Sequence, residues 1–118
     1  MKKFVAIYIG TESALAKSQW NELDEKKRKE REASGMQAWM DWGTANSAAI
    51  VDRGNPLGKT KRASAEGIMD TKNSVAAYVI VQAESHEAAA KLFENHPHFT
   101  IFPGDSVEIM ECLPLPEQ

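Results

Sequence analysis

Two short segments of this chain are apolar on both of the faces that a β-strand presents. Phe4-Val-Ala-Ile-Tyr-Ile9 sets Phe4, Ala6 and Tyr8 against Val5, Ile7 and Ile9, and Tyr78-Val-Ile-Val81 repeats the pattern. Successive side chains of a strand point to opposite sides, so both strands require cover above and below. The segments available to supply that cover are two helical stretches, and two helices cover one face of a sheet. A large apolar face left in water is uncommon in a monomer, so the pattern predicts a homodimer that stacks two sheets face to face.

The helical stretches are legible from charge and capping. From Glu22 to Glu32 every residue except Leu23 is charged, with five acids and five bases interleaved. Glu22 with Lys26, Asp24 with Arg28, and Glu25 with Lys29 have the acid-before-base order that favours i,i+4 pairing, so Ser18 to Ala33 reads as a solvated helix. Ser34-Gly-Met-Gln37 fits a capping box that would start a second helix through about Ala45, the alternative being one long helix containing Gly35. Met36, Trp39, Met40 and Gly43 fall on one face, expected to be buried. Ser85 caps a later helix that carries Ala89, Leu92 and Phe93 inward and stops at Asn95 and Pro97.

Further strands are expected at Ala48 to Asp52 and Val107 to Cys112, with a glycine- and proline-bearing turn at Arg53 to Gly58. Lys59 to Asn73 reads as a loop or a short hairpin. The order β-α-β, connector, β-α-β predicts an α+β fold, the ferredoxin-like βαββαβ with an antiparallel sheet. At 118 residues the chain is expected to form one domain, 1–113, with a loosely ordered tail at 114–118. The apolar run after Met1-Lys-Lys is six residues long and is followed by Glu12, so it reads as a first strand rather than a secretory leader.

Charge and cysteine usage exclude several functions. A formal net charge of −3 argues against a basic nucleic-acid binder, and no apolar run approaches the length of a membrane span. The single cysteine, Cys112, excludes an intramolecular disulfide framework or a multi-Cys zinc site, suits a reducing, cytoplasmic setting, and reads as a small strand hydrophobe. Gly54-Asn-Pro-Leu-Gly-Lys-Thr60 imitates a phosphate loop, but only three residues separate the glycines and Pro56 removes a backbone donor.

The candidates for chemistry are few. His96-Pro-His98 provides two imidazoles, which titrate near neutral pH and suit acid/base work better than they suit a metal site built on two ligands. Asp52, at a strand end before a glycine turn, can orient a histidine or cap the turn backbone. Tyr8, Trp39 and Met40 are the expected pocket wall between sheet and helix.

Ile50-Val-Asp-Arg-Gly-Asn-Pro-Leu-Gly58, Met36-Gln-Ala-Trp-Met40, Tyr78-Val-Ile-Val-Gln-Ala-Glu-Ser85, Asn95-His-Pro-His98 and Val107-Glu-Ile-Met110 together resemble the YCII-related family, in the branch related to DGPF-domain proteins. The resemblance spans nearly the whole chain and implies a dimeric α+β barrel. Some YCII-type relatives are associated with lyase-like chemistry on small, often aromatic molecules, and no cofactor or metal is expected for this chain. Some relatives pair a helix histidine with an aspartate, and this chain has Gln37, Trp39 and Trp42 in that region instead. The expectation is therefore a small-molecule lyase- or isomerase-like homodimer in which His98 is the general acid/base and Asp52 its orienter. The rival expectation is a non-catalytic ligand-binding or accessory dimer.

Overall fold

The computed structural model describes residues 1–116. Its strands are β1 (Lys2–Ile9), β2 (Ile50–Asp52), β3 (Thr60–Ser64), β4 (Gly67–Thr71), β5 (Val75–Ala83) and β6 (Ser106–Glu111), and its helices are α1 (Glu12–Ser18), α2 (Glu25–Ala45), α3 (His86–Lys91) and α4 (Pro97–Thr100). The main sheet runs β2-β5-β1-β6, antiparallel throughout. With the β3–β4 hairpin set aside as an insertion, the four remaining strands have the order of the ferredoxin-like fold. The uncertain connector is therefore a hairpin, forming a separate two-stranded sheet.

The apolar alternation of β1 sorts as expected. Phe4, Ala6 and Tyr8 are buried with Val79, Val81, Ala83, Ala89 and Phe93 in one core between the sheet and the helices. Each large apolar side chain moved from water to such a core contributes roughly 1.5–3 kcal/mol. The opposite face carries Val5, Ile7 and Ile9 of β1, with Ile80 and Tyr78 of β5 in register beside Val5 and Ile7. Among the described residues no helix covers that face, and its side chains stay partly exposed.

The first helical region departs from expectation in three ways. A helix already forms at Glu12–Ser18, capped by the Thr11 side chain accepting from the Ala14 N–H at 3.0 Å. A 3-10 turn at Trp20–Glu22 follows, so Glu22 lies outside α2. Asp24 is the N-cap of α2, accepting from Lys27 N–H at 2.8 Å, and Arg28 bonds the Leu23 carbonyl at 3.0 Å. Of the three expected pairs, Glu25–Lys29 is thus the one that forms, at 3.2 Å on the surface.

Helix α2 also runs unbroken through Ser34, so the capping box is unused and the single-helix alternative holds. Its expected buried face is corrected too, because Met36 and Met40 are 55% and 63% exposed. The seam instead follows Gly35, Trp39 and Trp42. Gly35 is buried against Phe102 and Ile101, and a Cβ there would lie 2.5 Å from the Phe102 ring, so the helix makes its close approach at Gly35, whereas a Cβ on Gly43 would meet nothing within 4 Å. Cys112 lies just past β6 and is exposed, which corrects its reading as a strand hydrophobe.

Of the expected 114–118 tail, residues 114–116 form neither helix nor strand, Leu115 is 91% exposed, and 117–118 lie outside the described residues. Among the described residues no helix is long and apolar enough to cross a membrane.

Candidate functional site

Strand β1 ends at the centre of the molecule's aromatic cluster. The Tyr8 ring lies 4.9 Å from Trp39, 6.1 Å from Phe93, 5.1 Å from His96 and 5.2 Å from His98, centroid to centroid. The histidines reach it because α3 stops at Lys91, short of the expected Asn95, the following turn closes on Asn95 at φ 56°, and Pro97 then opens α4. Proline suits the first helical position, where its missing N–H is not needed. His96 is therefore the N-cap of α4.

That placement sets the protonation of His96. Its Nδ1 accepts the backbone N–H of His98 at 2.9 Å, so the neutral ring carries its proton on Nε2. Nε2 lies 3.3 Å from Tyr8 Oη and donates to it. His96 is fully buried. Burial, and secondarily the neighbouring His98, lower its pKa to about 4, and burial raises that of Tyr8 well above the phenol range. Near neutral pH the pair is a neutral imidazole donating to a neutral phenol, whose own proton remains free to donate onward.

His98 is differently engaged. Its Nε2–H donates to the Ile9 carbonyl at 2.8 Å, and its own carbonyl accepts from Gly104 N–H at 2.9 Å. A Cβ on Gly104 would run into the His98 ring. Burial lowers the His98 pKa, opposed by backbone bonds to Ile9 and Ser106 and by the Asp105 carboxylate. Asp52 accepts from Gly54 N–H at 2.8 Å, the geometry of the turn cap. The expected His98–Asp52 pair is therefore not brought together: Asp52 is spent on its own turn, and the carboxylate acting on His98 is Asp105.

Two adjoining cavities open between α2 and the edge of β5. The larger, about 390 Å³, is walled by Tyr8, Met36, Trp39, Tyr78 and Phe102 and by the 53–56 turn. The smaller, about 120 Å³, is lined by Tyr8, Trp39, Met40, Trp42, Gly43, Ile50, Arg53 and Val79. Tyr8, Trp39 and Arg53 are common to both, while His96, His98 and Asp52 line neither. The expected wall of Tyr8, Trp39 and Met40 thus meets at one cavity.

Two residues escaped the sequence reading. Arg53 reads in the sequence as part of a turn, and His96 as the lesser of two histidines. The N-cap signal before Pro97, applied to a histidine, would have flagged His96, because a capping ring nitrogen fixes the tautomer of the other. Among the described residues, no three His, Cys, Asp or Glu side chains are grouped to hold a metal.

No protein-family model matches the chain, and no curated protein does. Among solved structures it is similar to a 5-chloro-2-hydroxyhydroquinone dehydrochlorinase from Burkholderia phenoliruptrix AC1100, in complex with 2,5-dihydroxybenzoquinone. The identity is 15% and the TM-score 0.53, over 92% of this chain and 90% of that one. At that identity the likeness establishes the fold: this chain has the ferredoxin-like α+β architecture of that structure.

Proposed function

We propose that this protein is a homodimeric member of the YCII-related group whose cleft takes a small oxygen-bearing organic molecule and hydrogen-bonds one of its oxygens through Tyr8. The observation that carries this reading is the Tyr8–His96 bond of 3.3 Å beside a 390 Å³ cavity, with His98 N–H holding the imidazole tautomer. Cavities of about 300–1,000 Å³ are typical of small-molecule sites. A phenol that receives one hydrogen bond and gives another stabilises charge that builds on a substrate oxygen, which is the electrostatic part of lyase- or isomerase-like proton transfer. The role first expected of His98 and Asp52 passes on this reading to Tyr8, with His96 positioning it. The fold neighbour acts on a chlorinated hydroxyhydroquinone, which agrees with an aromatic-walled cleft for a small oxygenated ring.

One observation favours the rival, a binding protein without turnover. Among the described residues no carboxylate, lysine or imidazole lines either cavity, so those residues give the cleft a proton donor and no base of ordinary strength. The two readings separate in one experiment. The protein is titrated calorimetrically with 2,5-dihydroxybenzoquinone, and chloride release is followed from 5-chloro-2-hydroxyhydroquinone. Tyr8→Phe is expected to weaken binding by about tenfold, the equivalent of one good hydrogen bond, and to abolish any chloride release. Binding without chloride release supports the rival, and equal affinity in Tyr8→Phe contradicts both.

The dimer rests on the uncovered sheet face and on shape. The Cα radius of gyration is 16.4 Å, against about 13.5 Å for a compact chain of this length. The extents are 57 × 42 × 19 Å, a thin slab with one bare side. Stacking a second copy on Val5, Ile7, Tyr78 and Ile80 would bury that side. Sedimentation is expected to give twice 13.1 kDa at micromolar concentration. Ile7→Lys, which places its ammonium beside Glu108 in register on β6, is expected to give a folded monomer. An Ile7→Lys protein that still sediments as a dimer would move the interface elsewhere.

A further inference from the structure

Among the described residues Arg53 is the one charged residue lining either cavity, and it lines both. Among the described residues no acidic side chain lies within 4.0 Å of its guanidinium to form an ion pair, and its nearest sequence neighbour of opposite charge is committed elsewhere. Asp52 holds Gly54 N–H at 2.8 Å, which turns its carboxylate onto the loop's own backbone. A guanidinium without a carboxylate partner, carried by a residue that lines an aromatic-walled cleft, is a donor fork for a carboxylate or phenolate oxygen.

The backbone that carries Arg53 is held rigidly. Gly54 adopts φ +66°, and a Cβ on it would collide with the Tyr78 carbonyl, so the turn sits flush against β5. Leu57 N–H bonds the Ala76 carbonyl at 2.9 Å, and Pro56 bridges to Ala77. The guanidinium therefore extends from a fixed root, with its freedom confined to its own side chain. A positive group on a fixed root and a neutral phenol donor on one apolar cleft recognise two oxygens of different charge.

Building on the small-molecule reading of the cleft, we propose that its ligand class is the planar organic anion: an aromatic or conjugated ring whose charged oxygen pairs with Arg53 while a neutral oxygen meets Tyr8. The aromatic walls accept the flat ring, and the cation selects its charge state.

The test compares 4-hydroxybenzoate with its methyl ester, which has the same ring and hydroxyl and no charge, by calorimetric titration of the full-length protein. The wild type is expected to bind the anion about tenfold more tightly than the ester, with a preference that shrinks as salt rises. Arg53→Gln is expected to collapse that ratio to near one, and Arg53→Lys to restore part of it. Arg53 is exposed, so neither substitution disturbs the core. Equal binding of acid and ester by the wild type, or an unchanged ratio in Arg53→Gln, overturns the anion proposal and leaves the cleft as a site for neutral molecules. Failure of the wild type to bind either probe at millimolar concentration overturns the proposal together with the reading on which it rests.

Discussion

Replacing His96 with alanine is expected to destabilise the protein by about 3–5 kcal/mol, the range for removing a large buried ring. The imidazole is fully buried, and its centroid lies 4.5 Å from Trp39, 4.8 Å from Trp42 and 5.1 Å from Tyr8. Alanine leaves a void where these rings converge. It also strips the His98 N–H of its acceptor and Tyr8 Oη of its donor, and a buried unsatisfied group costs about 1–3 kcal/mol. Since domains of this size are stable by about 5–15 kcal/mol in all, the variant should show a clear loss in urea midpoint. His96→Asn separates the contributions. Asparagine is a strong N-cap, so its carbonyl oxygen can take over the His98 N–H and is expected to recover about 1 kcal/mol, while the ring packing and the bond to Tyr8 stay lost. A His96→Ala protein within 1 kcal/mol of wild type would show that the aromatic cluster closes over the gap and that the imidazole is not structural.

The second large effect is loss of stability in acid. A histidine held neutral by burial has a folded pKa of about 4 against an ordinary value of 6.5. Between those values the unfolded chain binds a proton that the folded chain refuses, so stability rises with pH across this window and falls as pH drops. The contribution is intact above about pH 6.5 and is lost progressively down to about pH 4. At 1.36 kcal/mol per unit the loss is about 3 kcal/mol. His98, also lowered, adds in the same direction. Urea titrations at pH 7, 5.5 and 4.5 should show the midpoint falling, and His96→Asn should flatten much of that slope. A wild-type midpoint that holds constant from pH 7 to 4.5 would mean that His96 charges freely in the folded protein.

Much of the fold was legible because the strands carry their burial in their alternation. The six letters of β1 require cover on both faces, and the folded chain decides which set meets the helices: Phe4, Ala6 and Tyr8 face the core, and Val5, Ile7 and Ile9 face the bare side. Helix α2 was misread where local and tertiary signals compete. Ser34 and Gln37 form a valid cap in isolation, but Gly35 lies against the Phe102 ring, and that packing keeps the helix whole. Met36 and Met40 read as buried by their helical spacing with Trp39 and Gly43, yet Trp39 and Trp42 are the larger groups and turn the helix onto their own side. Trp42 secures that rotation by donating from its indole to the Leu92 carbonyl at 2.7 Å.

The site was half legible. Tyr8, Trp39 and Met40 were identified as a wall because strand and helix periodicity aims them at the same gap. His98 was preferred over His96 because a sequence shows which residues can titrate but not which are boxed in. Only the folded chain places His98 against the Ile9 carbonyl and gives His96 to Tyr8. Asp52 illustrates a related limit, since a carboxylate before a glycine turn satisfies the nearest backbone N–H before any distant partner.

The most direct measurement is the long-range proton–nitrogen NMR spectrum of the His96 imidazole, followed from pH 7.5 downward. The proposed donor role of Tyr8 requires the imidazole to be neutral, with its proton on Nε2 and Nδ1 accepting from His98 N–H. The expected spectrum shows one protonated Nε2 and one bare Nδ1 at neutral pH, with the ring charging only near pH 4. A spectrum with the proton on Nδ1, or with both nitrogens protonated at pH 7, would remove the imidazole donor from Tyr8 and contradict the proposed chemistry at its source.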